Sequence, residues 1–335
     1  MPQLGTGIMP SGAAGTEVQY VTRRAFVPKM IVQIYNCSPF VAAAIANAQP
    51  ASGGVSSVTV PVQGASFVNS QWTDYSGTFN QPSVQQGIQN AEYNLKALVV
   101  PIPFQGMEYA VQKDHAIIPL IEARMNDATN NACDAIGTAL YNNTGNNQQL
   151  IGLPGAIDDS TNLATYGGIS RTSNAFWKSK VYNAGATNPT RALVMQYISG
   201  TFKNCGELPS FGLMGVGTWQ TLANDFLGQE VFNVSPGSAF DSESNGPRSA
   251  FRALMVAGVP IYCDPYCPEG ILYLVNSNYV AMYIHENAAF TFSGFQSTIP
   301  NYQIGYLGIV LALMELVCVK PKANTRVSNF TYVTL

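Results

Sequence analysis

The sequence predicts an α+β chain, and three observations carry that expectation. One long amphipathic helical pattern runs between Asp114 and Gly145. Two strand-like segments flank a long polar middle between Val55 and Phe104. After Asn188, short helical and strand patterns alternate and end in the apolar segment Tyr306 to Val319. At 335 residues the chain has the length of about two domains. It can bury a full core without disulfide staples or structural metals.

The elements follow in order. Residues up to about Gly15 are rich in Gly, Pro, Ala and Ser and non-periodic, as in an extended arm. An apolar patch follows at Phe26 to Tyr35, and Gln49 to Gly54 reads as a loop. In VSSVTVPV, Val58, Val60 and Val62 alternate on one side, as a half-buried strand requires. The middle, Phe67 to Gly87, is polar and aromatic, and AEYNLKALVVPIPF resumes the strand pattern, so a protruding β-hairpin is expected. Its middle carries Trp72, Tyr75 and Phe79 with little charge, which favours contact with another chain.

In DHAIIPLIEARMNDATNNACDAIGTALYNN, Ile117, Ile121, Met125, Ala128, Ala132, Ala135, Ile136, Ala139 and Leu140 recur at spacings of three and four. Asp114 is a candidate N-cap, and Asn142, Asn143 and Gly145 end the pattern. Asn188-Pro189 reads as the cap and first turn of a helix reaching Gly206. FGLMGVG reads as a buried strand, and Thr218 as the cap of a shorter helix through Phe226. A polar loop, SPGSAFDSESNGPRS, intervenes. Strands are then expected at about Arg252 to Ile261, Ile271 to Val275, Tyr279 to His285 and Tyr306 to Val319.

Composition narrows the function. Charged residues are only 10%, where about 25% is ordinary. Asn and Gln together number 46 against 35 charged residues, so the polar surface is mostly amide. Protein interfaces are depleted in Lys, Glu and Asp, so this surface points to extensive self-association. A net charge of -3 argues against a strongly basic nucleic-acid binder. No basic and apolar leader stands at the N-terminus. The apolar run Tyr306 to Val319 is too short for a membrane span and is interrupted by Glu315. The six cysteines are scattered, as buried thiols of a reducing compartment would be.

Catalytic chemistry finds no anchor. The two histidines, His115 and His285, stand alone at element ends, and no G-x-S-x-G elbow, P-loop or G-x-G-x-x-G occurs. Cys263 and Cys267 form a C-x3-C pair without further ligands at zinc spacing. Asp158 and Asp159 read as solvated turn acids. Arg23, Arg24 and Lys29 near the arm, and Lys320, Lys322 and Arg326 near the end, read as solvated surface that could touch phosphate. No catalytic, cofactor or metal residues are expected.

Three segments carry a likeness in sequence and order: GLPGAI (Gly152 to Ile157), YGGISRTSNAFWKSKV (Tyr166 to Val181), and VAGVPIYCDPYCPEG (Val256 to Gly270) followed by ILYLVNSNYV. Together with arm, hairpin and long helix, they resemble the tailed-bacteriophage major capsid proteins, also called coat or major head proteins. The resemblance spans nearly the whole chain. It implies an N-terminal arm over residues 1–52, an extended loop over 53–104 that lies over a neighbouring subunit, and a peripheral domain over 105–188 with a spine helix at about 115–141. It further implies an axial domain over 189–300, with residues 301–335 returning to the peripheral domain.

The same resemblance implies hexamers and pentamers that close an icosahedral shell around double-stranded DNA, assembled in the host cytoplasm. The subunit would carry no catalysis. Many relatives have a long charged segment before the arm, which this sequence lacks, so a separate scaffolding protein or a removed prodomain is implied. A portal and a cement protein are the other implied partners. Some relatives crosslink through a lysine of the extended loop. Here its only lysine is Lys96, far from the tip, so no such crosslink is expected. Trp72, Tyr75, Phe79, Arg23 and Arg24 are the expected inter-subunit contacts. Another self-assembling virion protein, a tube or spike, is the alternative, and an α+β hydrolase a further one.

Overall fold

The computed structural model describes residues 38–52, 54, 56–64, 72, 77, 87–105, 114–145, 148–226, 253–297 and 305–334. Helix α1, Pro39–Ala46, starts on a Ser38 cap whose Oγ accepts the Val41 N–H, with proline in its first turn. It buries Phe40, Val41 and Ile45. The segment expected as a loop at Gln49 contains strand β1, Gln49–Ala51, which pairs in parallel with residues 283–285. A three-residue parallel strand depends on a partner more than 230 positions away, so no local pattern announces it.

Strands β2 (Ser57–Gln63) and β3 (Ile88–Asn94) pair antiparallel from Ser57↔Asn94 to Gln63↔Ile88. Val58, Val60 and Val62 are half-buried while Thr59, Pro61 and Gln63 are exposed, as the alternation predicts. The strand-like run that continues to Phe104 divides at Leu95. Its second half is β4, Lys96–Gln105, which leaves the hairpin for a larger sheet. Pro101 and Pro103 fit there because β4 is an edge strand whose prolines owe no hydrogen bond to a second neighbour.

Helix α2, Asp114–Asn142, is 29 residues long, about 44 Å. Met125, Ala128, Ala132, Ile136, Ala139 and Leu140 are buried, as their spacing predicts, whereas Ala135 is exposed. Asn143 ends the helix: its side-chain amide donates to the Leu150 carbonyl at 2.6 Å and its Oδ1 accepts the Gly145 N–H. The chain then turns back so tightly that a Cβ on Gly152 would lie 2.5 Å from the carbonyl oxygens of Ala139 and Leu140. This is why GLPGAI begins with glycine. The short α3, Leu153–Ala156, follows and is wholly buried.

Strands β5 (Thr165–Tyr166) and β6 (Ile169–Ser170) form a hairpin on Gly167 and Gly168, both at positive φ. Next come β7 (Lys180–Thr187), α4 (Arg191–Cys205), β8 (Phe211–Met214) and α5 (Val216–Phe226). Thr190, not Asn188, caps α4, through its Oγ1 and the Leu193 N–H. Gly206 closes the helix in the left-handed conformation.

Thr218 does not cap α5. It lies in the first turn, and the Glu269 carboxylate accepts its N–H, its hydroxyl and the Gly217 N–H, each at 2.9 Å. Replacing Glu269 with Ala is expected to cost about 1–2 kcal/mol, by orphaning these donors and removing a negative charge from a helix N-terminus. A drop in thermal midpoint with faster amide exchange at Gly217 and Thr218 checks this.

The chain continues through β9 (Leu254–Val256), β10 (Val259–Cys263), β11 (Leu272–Val275), β12 (Val280–His285), β13 (Thr291–Ser297), β14 (Gly305–Cys318) and β15 (Thr325–Phe330). The single strand expected at Arg252 to Ile261 is a hairpin turning at Ala257-Gly258, both at positive φ. Two sheets result. One has the order β1-β12-β14-β13, with β4 on the other edge of β14; the second runs β7-β15-β11-β8-β10-β9. Helix α2 and the five-stranded sheet share a large core that includes Met125, Ile136, Val310, Met314 and Leu316. Helices α4 and α5 pack on the six-stranded sheet around Val194, Ile198, Leu222, Ile261 and Leu274.

The cysteine expectation holds in part. Cys205, Cys263, Cys267 and Cys318 are free thiols, but Cys133, buried on α2, is disulfide-bonded.

Candidate interaction surface

Three of the residues weighed for catalysis or metal binding, His285, Cys263 and Cys267, are buried. His285 is buried, and its Nδ1 accepts the Asn287 N–H at 3.2 Å, capping a short 3-10 turn. The side chain of His115 lies outside the described residues. Burial pushes the Cys263 thiol up to about 11 and the Cys267 thiol well above its usual range, so neither is a thiolate near neutral pH. Among the described residues no group of three or more His, Cys, Asp or Glu side chains converges as a metal site would. The turn holding both cysteines is a junction. Asp264 accepts the Ser38 hydroxyl and the Phe40 and Tyr266 N–H groups, and Glu269 caps α5.

Two surface expectations are corrected. Asp158 is wholly buried and not a solvated turn acid. Its Oδ2 accepts the N–H groups of Ser160, Asn162 and Leu163 at 3.1, 2.8 and 3.1 Å. Its Oδ1 accepts from Arg326 at 3.4 Å, so Arg326 is a buried partner and not a phosphate-facing cation. Arg171, also fully buried, approaches Asp158 at 3.9 Å. It donates to the carbonyls of Gly155, Ala156, Leu163 and Trp177, and its guanidinium lies over the Tyr166 ring. Trp177 Nε1 in turn donates to the Tyr166 carbonyl. The YGGISRTSNAFW segment is therefore one knot, and Arg326 ties it to the six-stranded sheet through β15.

What the surface offers is apolar contact. Trp72, in the middle of the hairpin, is fully exposed at 103% of its reference area. Tyr75, Phe79, Arg23 and Arg24 lie outside the described residues. The hairpin base is fixed: Tyr93 OH donates to the Cys318 carbonyl at 3.0 Å and the Glu92 N–H to the Gly167 carbonyl at 3.0 Å.

A second apolar surface was not anticipated. In the β4–β14 ladder, Ala97, Val99, Pro101 and Pro103 are register partners of Leu313, Leu311, Ile309 and Leu307. The β4 members are exposed and the β14 members half-exposed, whereas the opposite face, Val100, Ile102, Val310, Ala312 and Met314, is core. These eight neighbouring apolar side chains include no charge. Met195 and Phe202, two turns apart on α4, are also about half exposed. Contiguous apolar surface of this kind marks contact with another macromolecule.

No family model matches the sequence, and no curated protein does. Solved structures do match. A chain of the cyanophage A-1(L) capsid asymmetric unit is 16% identical, with 88% of this chain and 93% of that one covered, at a TM-score of 0.64. The holo-SrpI encapsulin complex from Synechococcus elongatus PCC 7942 gives 13% identity, 93% and 92% coverage and a TM-score of 0.55. The capsid of the native GTA particle gives 9% identity, 87% and 90% coverage and a TM-score of 0.52. The likeness runs along nearly whole chains, and the fold of this protein is that of the tailed-phage major capsid proteins, one that an encapsulin shares.

Proposed function

We propose that the chain is a major capsid protein that assembles into hexamers and pentamers and closes an icosahedral shell around double-stranded DNA. The observation that carries this reading is the near end-to-end structural match to a phage capsid subunit at a TM-score of 0.64. The amide-rich, charge-poor composition supports it, because repeated weak contacts multiply in a closed assembly. So do the fully exposed Trp72 and the open β4–β14 face. On this reading α2 and the five-stranded sheet form the peripheral part, and the six-stranded sheet with α4 and α5 the axial part.

The hairpin, with Trp72, Tyr75 and Phe79, would lie over a neighbouring subunit, and Arg23 and Arg24 of the arm would add contacts. A scaffolding protein, a portal and a cement protein are the further partners, and the virion is the location. The encapsulin match, covering 93% of the chain, favours a second reading: a shell subunit of an encapsulin-type complex.

Negative-stain electron microscopy of the purified protein, with light scattering for mass, tests assembly. Closed shells or rings of five and six are expected, and a stable monomer of 35.9 kDa even with co-expressed scaffold would overturn the proposal. Nuclease-protected double-stranded DNA inside particles recovered from the native source separates the viral reading from the second.

A further inference from the structure

Glu315 is an anomaly in the core. It lies in β14 with no solvent exposure; its Oε1 accepts the Ile151 N–H at 2.7 Å, and its Oε2 meets no hydrogen-bond partner among the described residues. Ile151 opens the turn after the spine helix, immediately before Gly152, whose N–H is bonded to the Asn143 carbonyl. One carboxyl group therefore bridges the turn that follows α2 and the longest strand of the five-stranded sheet.

The charged and titratable groups that bear on it stand on β3, β4, β5 and β12. Lys96 stands at the start of β4, opposite Met314, and its charge favours the ionised carboxylate. Tyr283 of β12 is the register partner of Glu315. Tyr93 of β3 and Tyr166 of β5 feel its charge, as they feel Cys318, and Arg171 lies beyond them. Burial holds both phenols well above their usual range, so they remain neutral. Among the described residues a carboxylate here has the Ile151 N–H as its one donor at hydrogen-bond distance, a weaker pull from the Leu316 backbone and no ion-pair partner, which together do not compensate for removal from water. Burial accordingly pushes the Glu315 carboxyl up to about 8, against the smaller opposing pulls of the Ile151 N–H, Lys96 and the Leu316 backbone.

We propose that Glu315 is a proton-operated latch: the neutral acid holds the turn at residues 148–153 against β14, and the ionised carboxylate releases it. When the turn opens, water reaches the carboxyl and its ordinary value of 4.5 applies. The closed state therefore binds the proton more tightly. Closure is favoured fully below about 4.5, weakens as pH rises, and levels off above about 8. The latch is read on the single chain and stands whether or not shells form.

Amide hydrogen exchange on the full chain, corrected for intrinsic rates, tests it. In the wild type, opening of residues 148–153 should rise by up to about tenfold per pH unit between pH 6 and 8 and then level off. Glu315→Gln keeps the acceptor for Ile151 and should abolish that slope. Lys96→Met removes the charge that favours ionisation and should move the plateau to higher pH. A wild-type profile without a pH slope, or one unchanged in Glu315→Gln, overturns the latch. If Glu315→Gln does not fold, the Lys96→Met profile decides, and an unshifted plateau counts against it.

Discussion

Replacing Asp158 with Ala is expected to destabilise the protein by about 3–5 kcal/mol, the cost of removing one partner from a buried ion network. Asp158 is the only carboxylate that contacts the guanidinium groups of Arg171 and Arg326 in the described structure, at 3.9 and 3.4 Å. The donors of Arg171 are shared among four backbone carbonyls, so that side chain stays hydrogen-bonded when Asp158 is lost. Its charge, however, is then uncompensated in the interior. Arg326 fares worse, because its buried Nε has no partner among the described residues even with Asp158 in place.

Three backbone N–H groups of the turn at Ser160, Asn162 and Leu163 are orphaned in the same step. Asp158→Asn keeps an acceptor for some of these and should lose less than Asp158→Ala. Urea unfolding midpoints for the two variants check the order and the size. A loss below about 1 kcal/mol for Asp158→Ala would mean that the arginines are held by the carbonyls alone.

Deleting Asn69 to Gln86 is expected to leave a folded subunit that cannot close shells. The deletion spares β2 and β3, whose pairing reaches Gln63↔Ile88 and closes with the Gly64 N–H on the Gly87 carbonyl. Residues 65–68 remain as a four-residue connection, a length that hairpins accept. The base anchors Tyr93 and Glu92 are untouched. Trp72, which the deletion removes, makes no core contact to lose, being fully exposed. Thermal stability should therefore stay within about 1 kcal/mol of the wild type, while micrographs show no closed particles. Normal shells from the deleted protein would remove the hairpin from the assembly surface.

These two outcomes differ in how far they were legible beforehand. Val58, Val60 and Val62, the three-four spacing along α2 and the 14-residue apolar strand β14 were all written locally, because a strand or helix that buries one face repeats its apolar residues at its own period. The exposed aromatic in the hairpin was legible for the same reason: a Trp among Asn, Gln, Ser and Thr has no local apolar partner. The open face of β4 and β14 was not. In YLGIVLALMELVCV both faces are apolar, and period two cannot say which is covered by α2 and which is left open.

Residue type and contacts within a turn or a strand were enough for the long helix α2, the β2–β3 pair, most of the later helices and strands in their order, and the absence of a recognisable catalytic motif, but not for β1 or the division of the chain at Leu95. The pairing of groups far apart in the chain came only with tertiary packing. Glu269 caps a helix that begins 53 residues earlier, Asp158 meets Arg326 across 168 positions, and Glu315 meets Ile151 across 164. A charged residue carries no periodic signal of its destination. Whether Asp158 is a solvated turn acid or a buried keystone, and whether Glu315 is ionised or neutral, depends on water being excluded by residues from other elements, and burial of that kind exists only once the chain has closed on itself.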